Sequence, residues 1–129
     1  MKNLKFAIRH FELMNASVIV IDDDEDTVRL FSEFLEENNI HVLGIGFDGK
    51  TAVELFQEKK PDCVLIDIMM PNGSGFYAIS KIKDLDPKAK IIAVTGDGRS
   101  STEQKLGKLK IPIIYKPFKM DEIISKIKN

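Results

Sequence analysis

With 129 residues, 19 basic and 20 acidic side chains and a formal charge of −1, the chain has the length of one domain and no overall pull toward nucleic acid. Its single cysteine, Cys63, excludes an internal disulfide framework and fits a reducing compartment. No apolar run approaches the roughly 18 residues of a membrane span and no signal-peptide pattern opens the sequence, so a cytoplasmic domain without membrane or direct nucleic-acid partners is expected.

Residues 1–16 read as an N-terminal extension. Leu4, Ala7, Ile8 and Phe11 fit a short amphipathic helix, while Met14, just ahead of the first convincing strand, fits an added lead sequence. Residues 17–129 form the domain. From Ser17 the pattern changes to Val-Ile-Val-Ile, a continuous β-branched run of the kind found in strands covered on both faces, and Asp22, Asp23 and Asp24 follow at once. One of these acids can cap a helix whose first turn holds Glu25 and Asp26 and whose apolar stripe is Val28, Leu30, Phe31, Phe34 and Leu35, ending at Asn38-Asn39. Ile40 to Ile45 predicts a second strand, and Asp48-Gly49 opens a helix with Ala52, Val53, Leu55 and Phe56 inward, closed by Lys59-Lys60-Pro61.

The third strand, Cys63 to Ile66, delivers Asp67 into a loop of breakers, Pro71, Gly73 and Gly75. Cys63, within that apolar run, reads as a small core residue and not as a nucleophile. Phe76, Tyr77, Ile79, Ile82 and Leu85 mark a third helix, ended before Pro87. Ile91 to Val94 is a fourth strand, stopped at Thr95-Gly96-Asp97-Gly98, and a helix between Ser101 and Leu109, weakened by Gly107, is expected to be short or mobile. Ile111 to Tyr115 gives a fifth strand, then Lys116-Pro117-Phe118, then a last helix from about Met120 with Ile123, Ile124 and Ile127 on one face. Five strands alternating with five helices predict a doubly wound parallel α/β domain with helices on both faces of the sheet.

In such a sheet the residues after each strand meet at one edge. Here they are Asp22 and Asp23, Asp67, Thr95 and Lys116. Gathered carboxylates repel one another unless a cation lies among them, and all-oxygen ligation with few protein ligands suits magnesium. A threonine hydroxyl and a lysine charge are the groups needed to hold the oxygens of a transferring phosphoryl group, which makes Asp67 the natural nucleophile and an aspartyl phosphate its product.

Ile-Asp-Asp-Asp-Glu-Asp at 21–26, Leu-Ile-Asp-Ile-Met-Met-Pro at 65–71 with Gly75 beyond, Val-Thr at 94–95 and Lys-Pro-Phe at 116–118 resemble the receiver domain of two-component response regulators. Four separate motifs arrive in that family's order over about residues 17–128. The resemblance implies a flavodoxin-like fold with strand order 2-1-3-4-5, standing alone, and phosphoryl transfer from a sensor histidine kinase or phosphotransfer protein onto Asp67. It further implies magnesium held by Asp23, Asp67 and the backbone carbonyl of Met69, with Asp22 acting through water. Signalling would follow from a conformational change read by a downstream protein, by a monomer or a phosphorylation-dependent dimer. The chain would be a phosphorylated module and not a turnover enzyme, limited to self-phosphotransfer and autodephosphorylation. It departs from the family at Ile113, three residues before the lysine, where receivers resemble one another in carrying an aromatic that turns inward.

Two other functions compete. A haloacid-dehalogenase-like phosphatase uses the same aspartyl phosphate chemistry, but wants its Asp-x-Asp motif on the first strand and further acids after the fourth. A degenerate receiver used only for protein binding finds its one encouragement in Ile113.

Overall fold

A computed structural model of the protein describes Leu4, residues 16–96 and residues 98–129. The helix or lead sequence expected before Ala16 otherwise lies outside the described residues. The strands are β1 (Ser17–Ile21), β2 (His41–Gly46), β3 (Cys63–Asp67), β4 (Ile91–Thr95) and β5 (Ile113–Tyr115), and they alternate with helices α1 (Glu25–Glu37), α2 (Gly49–Lys59), α3 (Ser74–Leu85), α4 (Ser100–Lys108) and α5 (Met120–Lys128). All pairings are parallel, in the order β2-β1-β3-β4-β5, the flavodoxin-like order expected.

Successive residues of each central strand feed opposite layers, as strand geometry requires. Ile19, Ile21, Val64, Ile66, Ile91 and Ala93 pack with Ala52 of α2, Ile79 of α3 and Leu106 of α4. Val18, Val20, Cys63, Leu65, Ile92 and Val94 pack with Leu35 of α1 and Ile123 of α5. The unbroken apolar runs are therefore explained by burial on both faces.

Three expectations are corrected. Leu30 and Phe34 of α1, assigned to its buried stripe, are 56% and 44% exposed, and Tyr77 and Leu85 of α3 also face solvent. Each helix lays one narrow row on the sheet, here Val28 and Leu35 or Ala78, Ile79 and Ile82, and the flanking apolar positions are left outside. Asp24 occupies the position before α1 without its side chain capping the helix backbone; its carboxylate instead accepts from the Thr27 hydroxyl. By contrast Asp48 caps α2 as expected, accepting from the Thr51 N–H at 2.8 Å. The strand and helix ends otherwise fall within about two residues of expectation, the usual scatter; α4 is nine residues long.

Candidate functional site

The edge at the C-terminal ends of the strands receives the residues the topology sends there. The register pairs Asp67 with Val94 and Thr95 with Tyr115, so neighbouring strands end level with one another. Asp67 and Asp22 are buried, Asp23 is exposed, and carboxylate oxygens of all three lie within 4.8 Å of one another. Lys116 reaches into this group from the end of β5. Its Nζ donates to Asp67 Oδ2 at 2.8 Å and to Asp22 Oδ2 at 3.1 Å. The peptide bond from Lys116 to Pro117 is cis.

Local backbone geometry fixes the carboxylates. The Met69 N–H donates to Asp67 Oδ1 at 2.7 Å and the Asp24 N–H donates to Asp22 Oδ1 at 3.0 Å, so each buried acid is turned by a residue two positions later. Asp67 thus has both oxygens engaged, one by an amide and one by an ammonium. Gly75 lets α3 begin directly against this strand end, since a Cβ there would stand 2.7 Å from the Asp67 carbonyl oxygen and 3.0 Å from Ile68 Cα. Thr95 is fully buried, and its carbonyl accepts the Lys116 N–H at 2.8 Å. The two groups proposed from sequence to grip a phosphoryl group are therefore tied together through their backbones.

The charges perturb one another. Loss of water raises the Asp23 carboxyl above its ordinary 3.8, and the side-chain hydrogen bond shared with Asp22 and the negative charges of Asp22 and Asp67 raise it further. Burial pulls the Lys116 ammonium down, but the hydrogen bonds and charges of Asp67 and Asp22 outweigh it, and the net shift is upward. Lys116 is held as a cation by its two partners. Below them lies an apolar cavity of about 50 Å³, walled by Val20, Leu65, Val94, Phe31 and Phe118 among others. Phe31 and Phe118 meet edge to face with centroids 5.5 Å apart. The apolar part of this wall lowers the local dielectric and strengthens the ionic contacts of Lys116 with Asp22 and Asp67 beside it. The sequence reading missed the two rings as part of the site, although Phe118 follows Lys116-Pro117 directly and signalled its closeness.

The donor set fits a hard divalent cation: three carboxylates at one sheet edge, all oxygen, partly open to water through Asp23. Met69 stands beside Asp67 with its side chain 55% exposed and contributes no polar side-chain group. Ile113 is half-buried and packs against the layer of α2, α3 and α4, and Tyr115 donates its hydroxyl to Glu103 of α4.

Comparison with known proteins agrees with this geometry. Residues 18–128 match the family model described as response regulator receiver domain. The chain is 34% identical over 117 residues to the chemotaxis protein CheY of Halobacterium salinarum, covering 90% of this chain and 97% of that protein. It is 30% identical over 115 residues to the chemotaxis protein CheY of Thermotoga maritima, covering 88% and 96%. Among solved structures, the response regulator domain of Thermotoga maritima CheB matches with a TM-score of 0.76 at 28% identity over 88% of this chain and 93% of that one. The CheX-CheY-BeF3-Mg complex from Borrelia burgdorferi shares the fold, with a TM-score of 0.79 at 22% identity over 87% and 86%.

Proposed function

Because the chain belongs to the response regulator receiver domain family, the phosphoacceptor modules of two-component signalling, we propose that Asp67 is the residue that takes the phosphoryl group. The observation that carries this assignment is the pairing of Asp67 Oδ2 with the Lys116 ammonium at 2.8 Å beside Asp22 and Asp23. A carboxylate buried only as a turn residue would need neither a half-buried lysine nor two further acids.

A phosphohistidine of a sensor kinase or phosphotransfer protein is the donor. An Asp67 carboxylate oxygen forms the new O–P bond as the N–P bond breaks, and the imidazole leaves with the electron pair. The Met69 N–H keeps the acceptor carboxylate oriented. Lys116 then follows the negative charge onto a phosphoryl oxygen, and the Thr95 hydroxyl donates to another. Asp23, Asp67 and the Met69 carbonyl would hold magnesium, with Asp22 acting through water, and the bound ion supplies neutralisation of charge on the phosphoryl oxygens. The chain is a signalling module and not a turnover enzyme: its acyl phosphate is lost by its own hydrolysis, and Met69 offers no side chain to position the attacking water. The phosphatase alternative is not favoured, because the acceptor carboxylate lies on β3 and not on β1. A degenerate receiver is not favoured either, because the acids, threonine and lysine all stand at the same sheet edge.

Incubation with acetyl phosphate and magnesium, followed by intact mass, tests the proposal. The wild type should gain one phosphoryl group and Asp67→Asn none, and chelation of magnesium should abolish the gain. An unmodified wild type, or equal modification of Asp67→Asn, would sink it.

A further inference from the structure

The function proposed above leaves one charged surface unused. Between α3 and α4, on the face of the sheet away from α1, lies an open cleft of about 320 Å³ whose walls carry Phe76, Arg99, Thr102, Lys105 and Lys108. No carboxylate lines it among the described residues. Glu103 belongs to the same helix, but its carboxylate accepts from the Tyr115 hydroxyl of β5 and so is directed to the other side of α4.

The chain as a whole balances 19 bases against 20 acids, so a cleft whose charged lining residues are all basic is a local segregation of charge. The opposite segregation occurs on α1, whose exposed acids Glu25, Asp26, Glu33, Glu36 and Glu37 face a single Arg29. A solvated helix face of the usual kind intersperses both signs.

The cleft also has internal order. The Lys105 Nζ lies over the Phe76 ring, 4.4 Å from its centroid, a cation–π contact that restrains the ammonium. A fixed cation loses less freedom on pairing than a lysine waving in water, so this one is prepared for an anion.

We propose that the α3–α4 cleft is a docking surface for an acidic segment of a partner protein, whose carboxylates pair with Lys105 and Lys108. A protein segment suits the cleft better than a nucleic acid does. The face of Phe76 is already covered by Lys105, which removes the open aromatic platform that single strands stack on. The surface is independent of the aspartyl phosphate chemistry and needs no phosphorylation to be tested. It also differs from the Tyr115 side of α4, so one helix would serve two faces.

The test is fluorescence anisotropy with a fluorescein-labelled peptide of repeating Glu-Glu-Leu, compared with a repeating Lys-Lys-Leu peptide and a single-stranded oligothymidylate. The unmodified protein should bind the acidic peptide in preference to both. Lys105→Glu with Lys108→Glu should weaken that binding about tenfold or more, as charge reversal at a direct contact does. Lys50→Glu with Lys88→Glu, which changes the net charge equally at exposed positions away from the cleft, should leave it within about twofold. Matching circular dichroism and unfolding midpoints establish that both variants are folded. Equal losses in the two variants, no loss in the first, no binding of the acidic peptide, or tighter binding of the oligonucleotide would each overturn the proposal.

Discussion

Replacing Asp23 by Asn should make the protein more stable in the absence of divalent metal and less responsive to magnesium. Carboxylate oxygens of Asp22, Asp23 and Asp67 lie within 4.8 Å of one another. At that separation two unit charges repel by about 3.5 kcal/mol at an effective dielectric of about 20 and by about 0.9 kcal/mol in water. Lys116, within 3.1 Å of Asp22 and 2.8 Å of Asp67, offsets the repulsion between those two, and Asp23 is the acid in excess. Because Asp23 is exposed, its two repulsions lie toward the aqueous limit and are screened, so their removal is worth about 1–2 kcal/mol together.

Magnesium reverses the ranking. A site with a dissociation constant of about 1 mM gains about 1.4 kcal/mol at about 10 mM metal, and a site that has lost one charged ligand gains a few tenths. Urea unfolding in chelator and in magnesium measures both effects, with Asp26→Asn, an exposed α1 acid outside the cluster, as the control for charge alone. An Asp23→Asn protein no more stable than wild type in chelator, or equally stabilised by magnesium, would refute the electrostatic account of the cluster.

Asp48→Ala should cost about 1 kcal/mol, the usual worth of a helix cap. The Thr51 N–H holds the Asp48 carboxyl below its ordinary 3.8, so the contribution is complete above that pH and disappears as pH falls through the lower folded value; the gap between wild type and variant in urea midpoints should therefore close in acid. Gly75→Ala places a methyl group against the Asp67 carbonyl and Ile68 Cα, backbone atoms that cannot step aside, and should lose about 2 kcal/mol together with much of the phosphorylation rate. An Ala variant of wild-type stability would mean that α3 can slide away from β3. Burial pushes the Cys63 thiol up to about 12, so a disulfide reagent at pH 8 should leave the native protein untouched and titrate one thiol after denaturation. The same shift has a stability consequence: above about pH 9 the unfolded chain releases this proton while the folded chain keeps it, and stability should fall as pH rises from there toward 12.

Which parts of this molecule can be read from sequence follows from what each residue's neighbours are. Asp22, Asp67, Thr95 and Lys116 were legible together because a parallel sheet sends every strand's C-terminal end to one edge, a constraint that acts over the whole chain without any knowledge of side-chain packing. Leu30 and Phe34 were not, because a helix that contributes one row to a sheet and a helix wrapped on two sides share the same 3.6-residue period; only the neighbours decide, and they come from distant sequence. Asp24 misled for a local reason of the same kind. Its position and residue type suit a cap, yet its N–H is taken by Asp22 Oδ1 at 3.0 Å and its carboxylate by Thr27, so the turn that orients a site carboxylate displaced the one that would have capped α1. Asp48, with no such competing duty, caps α2 as its sequence predicts. The departure from the simple local rule thus falls beside the Asp22, Asp23 and Asp67 cluster, where the backbone is occupied in aiming acids at one another against their mutual repulsion.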